Sequence, residues 1–165
     1  MSAQGILHSL FKYKASANEG LFAEFAKIDP NERQSERHTA IRVLNHIYVV
    51  DRIFAAHLSG LKHCYSGTNT PETPSVDGLR TAVAESDRWY VQYVENVRPD
   101  KLQDVIKFTF TDGSPGSMSR EEMLAHVATH GDYHRGAVGR ILPELSVRPL
   151  TVYLHKVDPR RGSHS

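Results

Sequence analysis

Three histidines provide the strongest chemical signal in this sequence. His130 and His134 lie four residues apart in the segment ATHGDYHRG, and His46 lies far upstream in LNHIYVVDRIF. Residues at i and i+4 share one side of an α-helix, so both imidazoles of the pair can reach a single ion. A third imidazole from an antiparallel helix would complete a set of three neutral nitrogens and leave a coordination position for water or substrate. The pattern therefore indicates a metal site that can support a reaction.

The histidine pair also interrupts an apolar stripe of the last predicted helix. The stripe has intervals of three and four residues and consists of Met123, Val127, His130, His134, Val138 and Ile141. A buried polar group without a partner costs roughly 1 to 3 kcal/mol, so imidazoles in a core need hydrogen bonds or a metal. A single histidine on an apolar face is nevertheless more often a core or rim residue than a ligand.

The other histidines give weaker signals. His126 lies one turn before His130, but successive steps of four residues drift around the helix axis, so we interpret it as a neighbour of the site or a surface residue. The remaining ones are interpreted as surface or rim residues: His8, His38, His57, His63 and His155.

Apolar periodicity predicts four helices that position these residues. They cover residues 6–28, about 32–61, about 76–97, and a segment from a capping box at Ser119 and Glu122 through Leu142. Residues 66–78 are rich in Ser, Gly, Thr and Pro, which predicts a crossover connection. Residues 105–111 alternate with a period of two before the turn sequence TDGSPGS. We therefore predict an all-α four-helix bundle with a crossover and a short β-hairpin or extended insert before the last helix.

Size and charge limit the remaining possibilities. The 165 residues suit a single domain, predicted over 1–156, with a polar tail at 157–165. A formal net charge of +1 gives no field that favours nucleic acid or an anionic membrane. The single cysteine, Cys64, forms no internal disulfide, and the chain opens without a leader-like segment, so a cytoplasmic location is expected. No apolar run is long enough for a membrane-spanning helix.

Several other catalytic patterns are absent from the sequence. There is no H-E-x-x-H motif of zinc peptidases, and the residues three positions before the late histidines are Met123, Val127 and Gly131 rather than the glutamates of a di-iron bundle. Neither a G-x-S-x-G elbow nor a phosphate-binding G-x-x-x-x-G-K-[ST] loop occurs.

Three segments together resemble one family. LNHIYVVDRIF, KFTFTDGSPGSMSREEML and HVATHGDYHRG are similar, in this order, to the DinB/YfiT-like superfamily of small metal-binding four-helix bundles. The resemblance implies that His46, His130 and His134 bind one divalent metal ion, commonly zinc or nickel, in a bundle that often forms a homodimer. It also implies kinship with bacterial thiol-dependent transferases and isomerases.

Some positions near the motif need separate interpretation. Family members often continue HRGQ, whereas Ala137 follows Gly136 in this chain, so a glutamine hydrogen bond is missing or replaced. Asp51 matches an acidic position of the second-helix motif, and we interpret it as a surface or packing charge paired with a residue such as Arg135 rather than as a catalytic group. The candidate neighbours of the metal ligands are Asp51, His126, Tyr133 and Arg135.

Three hypotheses follow for function. The first is a metal-dependent transferase in which a low-molecular-weight thiol attacks a small electrophile. The second is a metal-dependent hydrolase assisted by Tyr133, Asp51 or Glu122, although no spacing singles out a base. The third is a non-catalytic, stress-related bundle that the metal holds together. Aromatic residues near the hairpin and the third helix, Trp89, Tyr90, Phe108 and Phe110, are candidates for pocket walls, with a core role favoured.

Overall fold

The computed structural model describes residues 2–147, which form an all-α bundle with a small hairpin before the last helix. Its elements are α1 (Ala3–Phe25), α2 (Gln34–Ser59), α3 (Val76–Asn96), β1 (Val105–Thr109), β2 (Pro115–Ser119) and α4 (Arg120–Ile141). The predicted fold class is confirmed, and the helix limits lie close to the predicted ones. The predicted tail at 157–165 lies outside the described residues, and a single domain over 1–156 stays a prediction.

Local sequence explains where the helices begin and end. Ser2, Ser75 and Ser119 precede α1, α3 and α4, and each side chain accepts a hydrogen bond from a first-turn backbone N–H. At α4 the predicted capping box is present, because the Glu122 carboxylate accepts in return from the Ser119 backbone N–H at 2.7 Å. Gly60 ends α2 in the left-handed conformation, with φ at +68°, which suits a residue without a Cβ.

The apolar core consists of two clusters, one at each end of the bundle. One contains Phe11, Phe54, Tyr90, Val94 and Leu124 together with neighbouring apolar residues, and the partly buried hairpin residues Ile106, Phe108 and Met118 pack against it. The other contains Leu21, Phe25, Leu44, Leu79 and Leu142 with their neighbours. No helix within residues 2–147 is both long and apolar enough to span a membrane.

A layer of polar side chains lies between the two clusters, and all four helices contribute to it. We call this set the polar layer: Lys14, Asn18, Asp51, Asp87 and Arg135. The Lys14 ammonium donates to Asp51 at 2.5 Å and to Asp87 at 2.8 Å, and the Asn18 amide donates to Asp87 at 2.8 Å. Arg135 donates to the Asn18 carbonyl oxygen at 3.0 Å. Each member is at most 4% exposed, so the layer joins α1, α2, α3 and α4 inside the bundle.

The packing face of α4 differs in one respect from the predicted stripe. The three histidines of this helix are half-buried, whereas Gly131 and Arg135 are buried at the centre of the contact. A Cβ on Gly131 would lie 3.0 Å from the Arg135 guanidinium and 3.3 Å from Cε of Lys14. The glycine therefore leaves room for the polar layer, and the late histidines are displaced to the rim.

Candidate metal centre

The structure brings together the three histidines that the spacing singled out. Ring nitrogens of His46, His130 and His134 all lie within 4.8 Å of one another, which is compatible with one shared metal ion. Nε2 of His46 lies 3.1 Å from Nε2 of His130, and the ring centroids of His130 and His134 are 4.5 Å apart. Helix α2 supplies one ring and α4 supplies the other two, as expected for neighbouring helices of a bundle.

A backbone carbonyl orients the first ring. Nδ1 of His46 lies 2.7 Å from the carbonyl oxygen of Thr68, to which it donates when the proton is on Nδ1. That tautomer leaves the lone pair of Nε2 directed at the other two histidines. Metal-binding histidines in proteins commonly have such a partner, which fixes both the tautomer and the ring orientation.

Side chains of α2 in turn hold Thr68 in place. Asn45, which is 2% exposed, donates to the Thr70 hydroxyl at 2.6 Å and also to the side chain of Asn69. Arg42 donates to the Thr70 carbonyl oxygen at 2.8 Å, and its own carbonyl accepts from Asn69 at 2.9 Å. The connection between α2 and α3 is thus fastened along α2 next to His46, and it contributes a contact to the site.

The protonation states of His130 and His134 suit metal binding. Burial, together with the neighbouring His134 and His46 rings, lowers the pKa of His130 to about 3. Burial, with His46 as the next cause, also lowers the pKa of His134. Both rings are therefore neutral near pH 7, and neutral imidazole is the form that binds a metal ion.

The close approach of two ring nitrogens also fits a metal ion. If the His46 proton is on Nδ1, its Nε2 lone pair lies 3.1 Å from Nε2 of His130, so the two atoms need a proton or a cation between them. Nδ1 of His130 is buried and has no hydrogen-bond partner among residues 2–147. Three neutral nitrogens from two helices form a donor set that zinc, nickel, copper and iron accept.

Asp51 and Arg135 lie in the polar layer rather than among the ligands. Asp51 is a packing charge, as interpreted from sequence, but the expected pairing with Arg135 is wrong because Lys14 is its partner. Burial raises the pKa of Asp51 to about 6, against the opposing effect of the Lys14 charge. Arg135, which is fully buried, binds Asn18 and Asp132. Lys14 lies on α1, and its local sequence does not indicate that its ammonium group reaches Asp51 on α2.

The other two candidate neighbours contact the ligand rings directly. The ring of His126 stacks on His130 with centroids 5.5 Å apart. Tyr133 is 76% exposed, and its ring meets the edge of His134 at 5.0 Å. Sequence reasoning missed Thr68 and Asn45, because Thr68 acts through its backbone carbonyl and Asn45 is a single polar residue within α2.

The fold and the site together define a helical-bundle protein with a three-histidine centre that can hold a metal ion. The family model described as the DinB family matches residues 1–161. The chain therefore belongs to the DinB family, a family of metal-binding proteins, as the resemblance predicted. Comparisons with curated proteins and with solved structures gave no significant match.

The contact to Thr68 leads to a testable prediction. We expect Asn45→Ala to weaken zinc binding about tenfold, the lower end of the 10- to 100-fold that loss of a direct partner of a metal ligand costs, because Asn45 acts on His46 only through the crossover. Competition with a fluorescent zinc chelator measures the change. Asn96→Ala is the matched control, because this exposed asparagine binds a carbonyl of its own helix, α3. Equal zinc affinity in the two folded variants would contradict the role of the crossover.

Proposed function

We propose that this protein is a metal-dependent transferase that joins a low-molecular-weight thiol to a small electrophile. The observation that carries the proposal is the convergence of His46, His130 and His134 from two helices at a half-buried position. Three protein ligands leave a coordination position for a small molecule, as in catalytic rather than structural zinc sites. The kinship of the family with thiol-dependent transferases supports this reaction over others.

The residues of the chain hold and orient the ion and its surroundings. His46, His130 and His134 are the proposed ligands of one zinc or nickel ion, and Thr68 fixes the ring of His46. When bound, such an ion supplies a positive charge that lowers the pKa of a coordinated thiol or water. The polar layer joins both α2 and α4 to α1 and so keeps these helices in a fixed register. The ligand atoms are thereby preorganised for metal binding.

The proposed reaction is a substitution at carbon. A sulfur–carbon bond forms, the bond from the same carbon to its leaving group breaks, and the leaving group departs with the bonding electron pair. The thiol proton passes to solvent. A homodimer and a cytoplasmic location stay predictions from the sequence and the resemblance.

The hydrolase alternative has less support because its candidate bases are occupied. The Asp51 carboxylate binds Lys14 inside the polar layer, and the Glu122 carboxylate caps the start of α4. Tyr133 remains next to His134, but a tyrosine acts as a general base less often than a histidine or a carboxylate does. Sulfur nucleophiles need no such base, since a thiolate carries its own negative charge.

A paired assay of metal uptake and thiol transfer tests the proposal. The zinc- or nickel-loaded protein is expected to accelerate the reaction of at least one thiol in a panel with a halide electrophile, measured as thiol loss and product mass. His134→Ala should take up less metal and lose the acceleration. Tyr133→Phe retains the ring next to His134 and serves as the control. Acceleration that persists unchanged in His134→Ala, or that does not depend on metal, would refute the proposed function.

A further inference from the structure

A row of aromatic rings extends from the metal centre to the hairpin. We call its four members the aromatic wall: Phe54, His57, Phe108 and His126. His126 stacks on the ligand ring of His130, and its other neighbour is Phe54, with centroids 4.8 Å apart. Phe108 lies 6.0 Å from Phe54 and 4.7 Å from His57. Rings from α2, α4 and β1 therefore form one continuous surface that begins at the three histidines.

The wall is not a closed part of the core. Phe54 is buried, but His57, Phe108 and His126 are only half-buried, so each of these three residues has surface accessible to solvent. Nε2 of His57 and Nδ1 of the neighbouring His63 are buried without a hydrogen-bond partner among residues 2–147. Buried polar atoms are normally paired, so these two unpaired imidazole nitrogens distinguish this end of the wall from the apolar core.

The hairpin holds the Phe108 ring in a defined place. Phe108 pairs with Gly116 across the two strands, and a Cβ on Gly116 would lie only 2.5 Å from Cζ of the phenyl ring. The ring thus lies over the glycine, and the Phe110 ring meets it edge to face with centroids 4.8 Å apart. A preorganised ring loses little freedom when a flat ligand stacks on it, and this favours planar ligands.

We propose that the electrophile of this protein carries an aromatic ring, which packs on the aromatic wall while its reactive carbon lies at the three-histidine centre. The inference rests on the proposed function and adds a substrate class to it. The supporting observations are the ring contacts, the partial exposure and the fixed position of Phe108, which do not depend on the identity of the metal.

Two matched metal-binding probes test the inference. Benzohydroxamate and acetohydroxamate share one chelating group and differ in a phenyl ring and a methyl group. Calorimetry on the zinc-loaded protein is expected to show that benzohydroxamate binds about ten- to a hundredfold more tightly than acetohydroxamate, because the phenyl ring transfers more apolar surface out of water than the methyl group does. Equal affinities would overturn the inference. Hydroxamate binding that is unaffected by zinc would instead count against the metal centre and the proposed function.

Variants locate the preference on the wall. Phe108→Ala is expected to reduce the ratio of the two affinities at least threefold, and Gly116→Ala should reduce it as well because its new methyl group displaces the Phe108 ring. Val105→Ala truncates an exposed apolar side chain of the same strand outside the aromatic wall and should leave the ratio unchanged. An unchanged ratio in both Phe108→Ala and Gly116→Ala, with the hairpin intact, would place the ring elsewhere and refute the assignment.

A second measurement keeps the inference testable if the protein takes up no zinc. Benzamide and acetamide lack a strong chelating group, and they are added to the metal-free protein while the aromatic side-chain signals are followed by NMR. Benzamide is expected to shift the signals of Phe108 and His126, and acetamide is not. If benzamide shifts neither signal, the aromatic wall does not bind a ring and the inference fails.

Discussion

The Lys14→Met variant is expected to lose about 3 to 5 kcal/mol of unfolding free energy, because removal of one partner from a buried ion pair leaves the opposite charge uncompensated. Lys14 is 1% exposed, and its ammonium binds Asp51 and Asp87 inside the bundle. Burial acts to lower the pKa of Lys14, but attraction to the two carboxylates has the larger combined effect, so the pKa is raised. Lys14 is therefore charged in the folded protein. Methionine fills a similar volume without the charge.

Urea denaturation followed by circular dichroism measures this loss. Lys12→Met is the matched control, since Lys12 is an exposed lysine of the same helix and a surface substitution usually changes stability by less than about 0.5 kcal/mol. A Lys14→Met protein within about 1 kcal/mol of the native one would contradict a structural role for the polar layer.

A triple variant separates lost charge balance from lost packing. In this variant, Lys14→Met is combined with Asp51→Leu and Asp87→Leu, so that the lysine and the two carboxylates it binds are replaced together by apolar side chains. Such replacements are often neutral or stabilising, so the triple variant is expected to recover much of the stability that Lys14→Met loses. If the triple variant is less stable than Lys14→Met alone, packing rather than uncompensated charge explains the loss.

Local patterns made much of the fold predictable from the sequence. Helical periodicity, the capping box at Ser119 and the alternation in 105–111 each depend on neighbours within a few residues, and the structure has the corresponding helices and hairpin. The pair His130 and His134 was visible for the same reason, because a spacing of four on a helix defines their proximity. Joining them to His46 needed the assumption of antiparallel neighbouring helices.

The polar layer was not predicted, although every helix carries a signal for it. A polar or charged residue interrupts the inner apolar stripe of each helix: Lys14 and Asn18 in α1, Asp51 in α2, Asp87 in α3 and Arg135 in α4. Lysine, aspartate and arginine are seldom fully buried, so a single such residue is ordinarily interpreted as exposed. Only the tertiary arrangement places all five side chains at one level, where hydrogen bonds join them.

The contact between His46 and Thr68 had no sequence signal at all. A backbone carbonyl is present in every residue, so its role depends on the path of the chain and not on side-chain type. The crossover was predicted as a linker because of its Ser, Thr, Gly and Pro content. Its attachment along α2 through Asn45 and Arg42 appears only when the long-range hydrogen bonds are known.

His130→Ala is expected to weaken zinc binding about a hundredfold or more while the helical content is retained. Structural zinc sites with four protein ligands bind with roughly 10 to 16 kcal/mol, which is about 2.5 to 4 kcal/mol for each ligand and corresponds to about a hundredfold or more in affinity. Nε2 of His130 lies 3.1 Å from that of His46, and the His130 ring is half-buried at the rim of α4. The two apolar clusters and the polar layer do not include this ring, so the bundle is expected to fold without it.

His126→Ala provides the matched control for this experiment, because it removes a histidine one turn away on the same helix. His126 contacts His130 by ring stacking, worth about 0.5 to 1.5 kcal/mol, so we expect its loss to weaken zinc binding by less than about tenfold. Chelator competition gives both affinities, and circular dichroism reports whether each variant is folded. Equal losses in the two variants would mean that the stack, rather than the three convergent nitrogens, determines binding. The chemical interpretation of the site would then lose its basis, because an open coordination position requires His130 to be a ligand in its own right.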